Sequence, residues 1–155
     1  MKKRKKNERG FSLMESLFAI FLVAICASII AATLPVANTS RARADYLNKA
    51  TNIAQKQLEA IKAGGYSSLT GDGLFALGLL DSPTGLPSIP PWKRFEFSNT
   101  DSVNSDAPNQ VLPQGKGFVL IKDLRLDLKQ VTVKVEWTER GTVRDSSLSA
   151  YIGNF

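Results

Sequence analysis

Glu15 is the residue that asks most of its surroundings. It is the one charged side chain between residues 10 and 40, set where a long apolar run begins, and a carboxylate at membrane depth costs a few kcal/mol unless something pairs with it. Two chemistries suit it. As the last residue of Ser12-Leu13-Met14-Glu15 it completes an S-x-x-E capping box, in which Ser12 and Glu15 satisfy backbone donors at a helix start. As an anion among apolar neighbours it is a partner for a cation brought close to it, because a charge in a low-dielectric setting is tolerable only when paired.

The remaining side chains exclude more than they offer. The chain has no histidine, which removes Ser-His-Asp and Cys-His arrangements and every His-ligated metal site. Its single cysteine, Cys26, cannot form an internal disulfide and reads as a small buried apolar residue. Residues 71–78, GDGLFALG, are glycine-bearing but lack the Lys-Ser/Thr of a phosphate loop. Asp101 with Asp106, and Asp123 with Asp127, pair on paper, yet no base, nucleophile and orienter come with them. The expectation is a protein that is not an enzyme and carries no metal or cofactor.

Charge is unevenly placed. The first nine residues hold six bases against Glu8, leaving 14 basic and 13 acidic side chains after Gly10, so the formal +6 of the 155 residues belongs to an N-terminal tag. The near-neutral remainder argues against a strong nucleic-acid footprint, whose affinity comes from Lys and Arg. Lys93 with Arg94, and Arg140 with Arg144, are the local basic pairs, and they read as solvated strand ends.

Residues 16–40 carry no charge, and residues 17–32 are apolar except for Ser28. At about 1.5 Å per residue, a helix here crosses a hydrocarbon core of about 30 Å. The basic cluster before it holds the N-terminus in the cytoplasm and puts everything after Arg41 outside. A cleaved secretory signal fits poorly, because the run exceeds its usual span of about 7–15 residues and no good A-x-A site ends it. A lipoprotein signal is disfavoured by Ile25 before Cys26. A plain anchor explains length and flank but gives Gly10 and Glu15 no purpose.

Arg9-Gly10-Phe11-Ser12-Leu13-Met14-Glu15, after a basic leader and opening an apolar run, resembles the class III signal of type IV pilins and pseudopilins. The resemblance implies that a prepilin peptidase cuts between Gly10 and Phe11 and methylates Phe11. It also implies that Glu15 neutralises the new N-terminal amine of a neighbouring subunit and so sets register as subunits stack. The partners implied are that peptidase/methyltransferase, other pilins or pseudopilins, and, indirectly, an assembly platform and a motor ATPase.

Beyond the span, periodicity continues. Leu47, Ala50, Ala54, Leu58 and Ile61 recur at three- and four-residue steps, with Arg43, Lys49, Lys56 and Lys62 between them, the pattern of an amphipathic helix. Gly64-Gly65 stops it. A helix over residues 12–63 would measure on the order of 75 Å. Pro35, which lacks a donor and clashes with the preceding turn, is expected to kink or locally melt it.

Residues 66–91 read as a loop with one helical turn near 74–80. Strands follow at 93–99, 117–121 and 130–138, with Leu124, Leu126 and Leu128 also alternating, then a Glu139-Arg140-Gly141 turn and a returning strand over 142–152. The fold class expected is α+β, a long N-terminal helix on a small antiparallel sheet, as in pilins. Residues 1–10 are a cleaved leader, 11–40 a transmembrane and filament-core helix, and 41–155 the globular part. The closing hairpin resembles those of minor pilins related to the type IV pilus modification protein and of minor type II secretion pseudopilins. The absent cysteine pair also favours a minor pilin or pseudopilin. On this reading the chain is stored in the bacterial inner membrane and then built into a pilus or pseudopilus. The alternatives are a filament-tip module contacting DNA, a secreted substrate or a surface, and a plain membrane-anchored domain.

Overall fold

The computed structural model describes residues 13–101 and 106–154, the side chains of 34–36 excepted. Helix α1 spans Leu13–Gly64, 52 residues. It is continuous through the position of Pro35. The chain divides into two compact units, residues 1–42 and residues 43–155.

In the first unit the described residues are helix alone, and its large apolar side chains, among them Leu17, Phe18, Phe21 and Ile29, are exposed. A helix that is hydrophobic all round requires lipid or other protein about it. Among the described residues one helix is long and apolar enough to cross a membrane, and none of its apolar window is buried.

The second unit holds the core. From α1 it takes Ala50, Ile53, Ala54, Leu58 and Ile61, a stripe at helical spacing that meets one face of a sheet. Leu47, expected on that stripe, is 47% exposed. Gln57, in the same stripe, is buried and donates from Nε2 to the Leu79 carbonyl at 2.6 Å. A buried amide needs such a partner, and this one pins the post-helix segment to α1.

The helix ends where Gly65 takes φ 77, the left-handed conformation that glycine adopts without a Cβ penalty. A 3-10 turn, Tyr66–Ser68, follows. Helix α2 is Gly71–Ala76, capped by the Thr70 hydroxyl, which accepts from the Gly73 N–H at 3.1 Å. The expected helical turn thus exists but begins earlier, because Thr70 supplies the cap.

The sheet is antiparallel in the order β1-β2-β3-β4. Its strands are β1 (Trp92–Glu96), β2 (Lys116–Arg125), β3 (Leu128–Glu139) and β4 (Thr142–Gly153), with a short helix α3 (Pro108–Val111) before β2. Val131, Val133, Val135 and Trp137 of β3 face the core as their alternation predicts. The β3–β4 turn is two residues, Arg140 (φ 50) and Gly141 (φ 78), both left-handed as a type I′ hairpin requires.

One strand reading is corrected. The alternation of Leu124, Leu126 and Leu128 is not that of one strand: Leu124 lies at the end of β2 and Leu128 opens β3, the register shifts between Asp123 and Arg125, Arg125 pairs with Leu128, and Leu126 stands fully exposed at the hairpin tip. The Tyr66 hydroxyl donates to the Leu126 carbonyl at 2.6 Å, and the Asn154 N–H donates to the Asp127 carbonyl at 2.9 Å. Backbone partners from elsewhere in the chain decide this turn, and side-chain periodicity cannot reveal them.

Candidate functional site at the start of the long helix

Glu15 is in the first turn of α1 and exposed. A carboxylate there complements the positive end of the helix dipole. Its neighbours Leu13, Met14, Leu17 and Phe18 are all exposed apolar side chains, at 59% or more. Farther along, two hydroxyls of the span are satisfied inside the helix: Ser28 Oγ donates to the Ala24 carbonyl at 2.8 Å, and Thr33 Oγ1 to the Ile30 carbonyl at 3.0 Å. Such back-bonding makes a hydroxyl tolerable in lipid. Glu15 makes no ion pair among the described residues and remains the one charge of an apolar surface.

Gly10, Phe11 and Ser12 lie outside the described residues, as does the side chain of Pro35. Cys26, read as buried, is exposed with the rest of the span, so its burial depends on whatever surrounds that helix.

The globular unit sorts the other candidates. Strand alternation sends Lys93 and Arg94 to opposite faces. Lys93 pairs with Asp123 at 3.1 Å, while the Arg94 guanidinium lies 3.7 Å from the centre of the Phe118 ring. They form no shared basic patch. Arg144 sits 3.8 Å from Glu139, and Arg140 is in the turn. Asp101 and Asp106 join no ion pair among the described residues, and these contain no cluster able to hold a metal ion.

On the outer sheet face Lys134 lies 3.0 Å from Glu136 and 3.6 Å from Asp145. The hydrogen bond to Glu136 and the charges of both carboxylates raise the Lys134 pKa above 10.5, against a smaller opposing effect of burial. A raised folded-state pKa stabilises below the unfolded value and ceases to as pH climbs through the folded one. The unfolding free-energy difference between wild type and Lys134→Gln is therefore expected to be level from neutral pH towards 10.5 and to vanish above it. At this half-exposed site its size is about 0.2–1 kcal/mol. Urea midpoints measured across that range check it, and a difference that grows with pH contradicts it.

Residues 5–31 match a family model described as the prokaryotic N-terminal methylation motif. No curated protein and no solved structure matches the chain at a significant level. The matched segment takes in the end of the basic stretch, Gly10, Phe11, Glu15 and most of the membrane-length run. With that motif opening a 52-residue helix that packs its second part on a four-stranded antiparallel sheet, the chain is similar to type IV pilin-like prepilins in its N-terminal motif and in its fold.

Proposed function

We propose that the chain is a minor pilin or pseudopilin, a structural subunit with no catalytic role. It is processed after Gly10, N-methylated at Phe11 and assembled into a type IV pilus or a type II secretion-like filament. The observation that carries the reading is Glu15, a lone carboxylate in the first turn of an otherwise uncharged apolar helix surface, within the methylation motif. Cleavage at Gly10 frees an amine at Phe11, one helical turn away by sequence. In a filament core the carboxylate of one subunit compensates the amine of the next, and neither charge is left alone in an apolar medium.

Before assembly the subunit waits in the inner membrane, leader inside and globular unit outside, as its basic flank dictates. Prepilin peptidase and other pilins are its direct partners. The lack of a second cysteine supports the minor or pseudopilin assignment over a disulfide-closed major subunit.

Replacing Glu15 tests this directly. Glu15→Leu leaves cleavage and methylation intact and strands an uncompensated amine, at about 3–5 kcal/mol for a broken buried pair. Incorporation into sheared filaments is expected to fall at least about 100-fold, read by quantitative mass spectrometry of the filament fraction. Undiminished incorporation of the processed variant would remove Glu15 from assembly.

A further inference from the structure

The outer face of the sheet, opposite α1, carries a second feature that the filament reading does not use. Phe118 is in β2, takes no part in the core cluster and is still only 4% exposed. Register explains part of this: Phe118 lies between Glu96 of β1 and Lys134 of β3. The Arg94 guanidinium, 3.7 Å from the ring centre, covers it. The segment 87–89 rises beside these strands and leaves an open groove of about 540 Å³, walled by Ile89, Trp92 and Leu120 and floored by Phe118.

The charges in and beside the groove, Arg94, Lys134 and Glu136 in its lining and Glu96 and Asp145 next to it, are not equivalent. Lys134 is engaged by Glu136 and Asp145, and Glu96 accepts from the Ser98 hydroxyl at 2.6 Å. Arg94 has its ring contact and no ion pair among the described residues. Stacking on Phe118 fixes the guanidinium plane, so its donors are preorganised for a planar acceptor at little entropic cost. Ile89 at 84% exposure is an apolar wall with nothing against it. Pockets of this size, apolar with a few placed polar groups, are the usual form of a ligand site.

We propose that this groove docks a peptide segment of a partner protein that presents one carboxylate beside an aromatic or aliphatic side chain. The carboxylate meets Arg94 in the bidentate geometry suited to a guanidinium, and the apolar side chain lies against Ile89 and Trp92. Charge complementarity selects this occupant over a nucleic acid: Arg94, without an ion pair among the described residues, takes one carboxylate, while Glu96, Glu136 and Asp145 on the same face repel the successive charges of a phosphate chain. The site is independent of whether the chain enters a filament.

The test is fluorescence anisotropy with the detergent-solubilised full chain. The probes are fluorescein-labelled pentapeptides Gly-X-Glu-X-Gly, with X drawn from Phe, Leu, Ile, Trp and Tyr, each beside its glutamine counterpart. Saturable binding by at least one acidic peptide is expected, weaker by at least about tenfold for the glutamine twin and for Arg94→Gln, as loss of a charge-assisted pair requires. Ile89→Ser, which alters an exposed wall, weakens binding without touching the fold. The proposal is overturned by absence of saturable binding across the set, by equal affinity for acid and amide, or by an Arg94→Gln chain that binds like wild type. It is also overturned if oligothymidine binds more tightly than every peptide, which makes the site one for nucleic acid. Self-association abolished by Arg94→Gln overturns it too, and makes the occupant a second copy.

Discussion

A Gly10→Val chain, produced beside an active prepilin peptidase, keeps its full 155 residues, while the wild-type chain loses the ten-residue basic leader and starts at methylated Phe11. The expectation is all or none. Glycine has no Cβ, which lets a backbone approach another surface closely, and a peptide bond entering a membrane-embedded peptidase needs that approach at the scissile position. Valine adds a branched side chain there. Intact mass and N-terminal residue, measured on membrane-extracted protein with and without the peptidase, decide it. Cleavage of Gly10→Val at the wild-type rate would show that the glycine is not what the peptidase reads. A wild-type chain left intact by active peptidase would reduce Glu15 to a helix cap on a plain anchor. The first ten residues carry +5 of the formal net charge of +6, so cleavage after Gly10 would remove the charge expected to hold the N-terminus at the cytoplasmic surface.

Phe97→Ala is expected to destabilise the globular unit by about 3–5 kcal/mol, the usual loss for a fully buried aromatic. Phe97 is 1% exposed, and its N–H donates to the Gly117 carbonyl at 3.0 Å. The ring fills the space where Gly117 has no side chain: a Cβ at 117 would lie 2.5 Å from two ring carbons. Against a typical total stability of about 5–15 kcal/mol, this loss removes a large share. The melting temperature of a fragment covering residues 43–155, which contains the whole core, should fall by at least about 10 °C. Gly117→Ala supplies the reciprocal test, costing about 1–3 kcal/mol by overpacking. In the Phe97→Ala background that second penalty should disappear, because the ring it collides with is gone. Additive losses in the double variant would mean that the two positions do not share one space.

Much of this protein is legible in its residues because the patterns concerned are local. The Gly10-to-Glu15 spacing sits at a single boundary between basic and apolar sequence, and a run of residues 16–40 without charge is long enough to span a membrane as a helix and must be covered by lipid or other protein. Likewise Val131, Val133, Val135 and Trp137 alternate so regularly that their common face follows from the two-residue period of a strand. The Arg140-Gly141 turn was readable for the same reason, glycine being the residue that accepts a left-handed backbone at no steric cost.

Other features were decided only by what came to lie beside each residue. Gln57 is polar by type and buried in fact, because the Leu79 carbonyl, 22 residues on, meets its amide. Leu126 continues an apolar alternation and ends fully exposed, because Tyr66 and Asn154 bind the backbone of that turn. Phe118 occupies the outward register of β2 yet is covered, because Arg94 of the neighbouring strand lies across it. Periodicity tells which face of an element a side chain takes. Whether that face meets core, solvent or another side chain depends on partners distant in sequence, and these are set by strand pairing and loop closure, which no local pattern encodes.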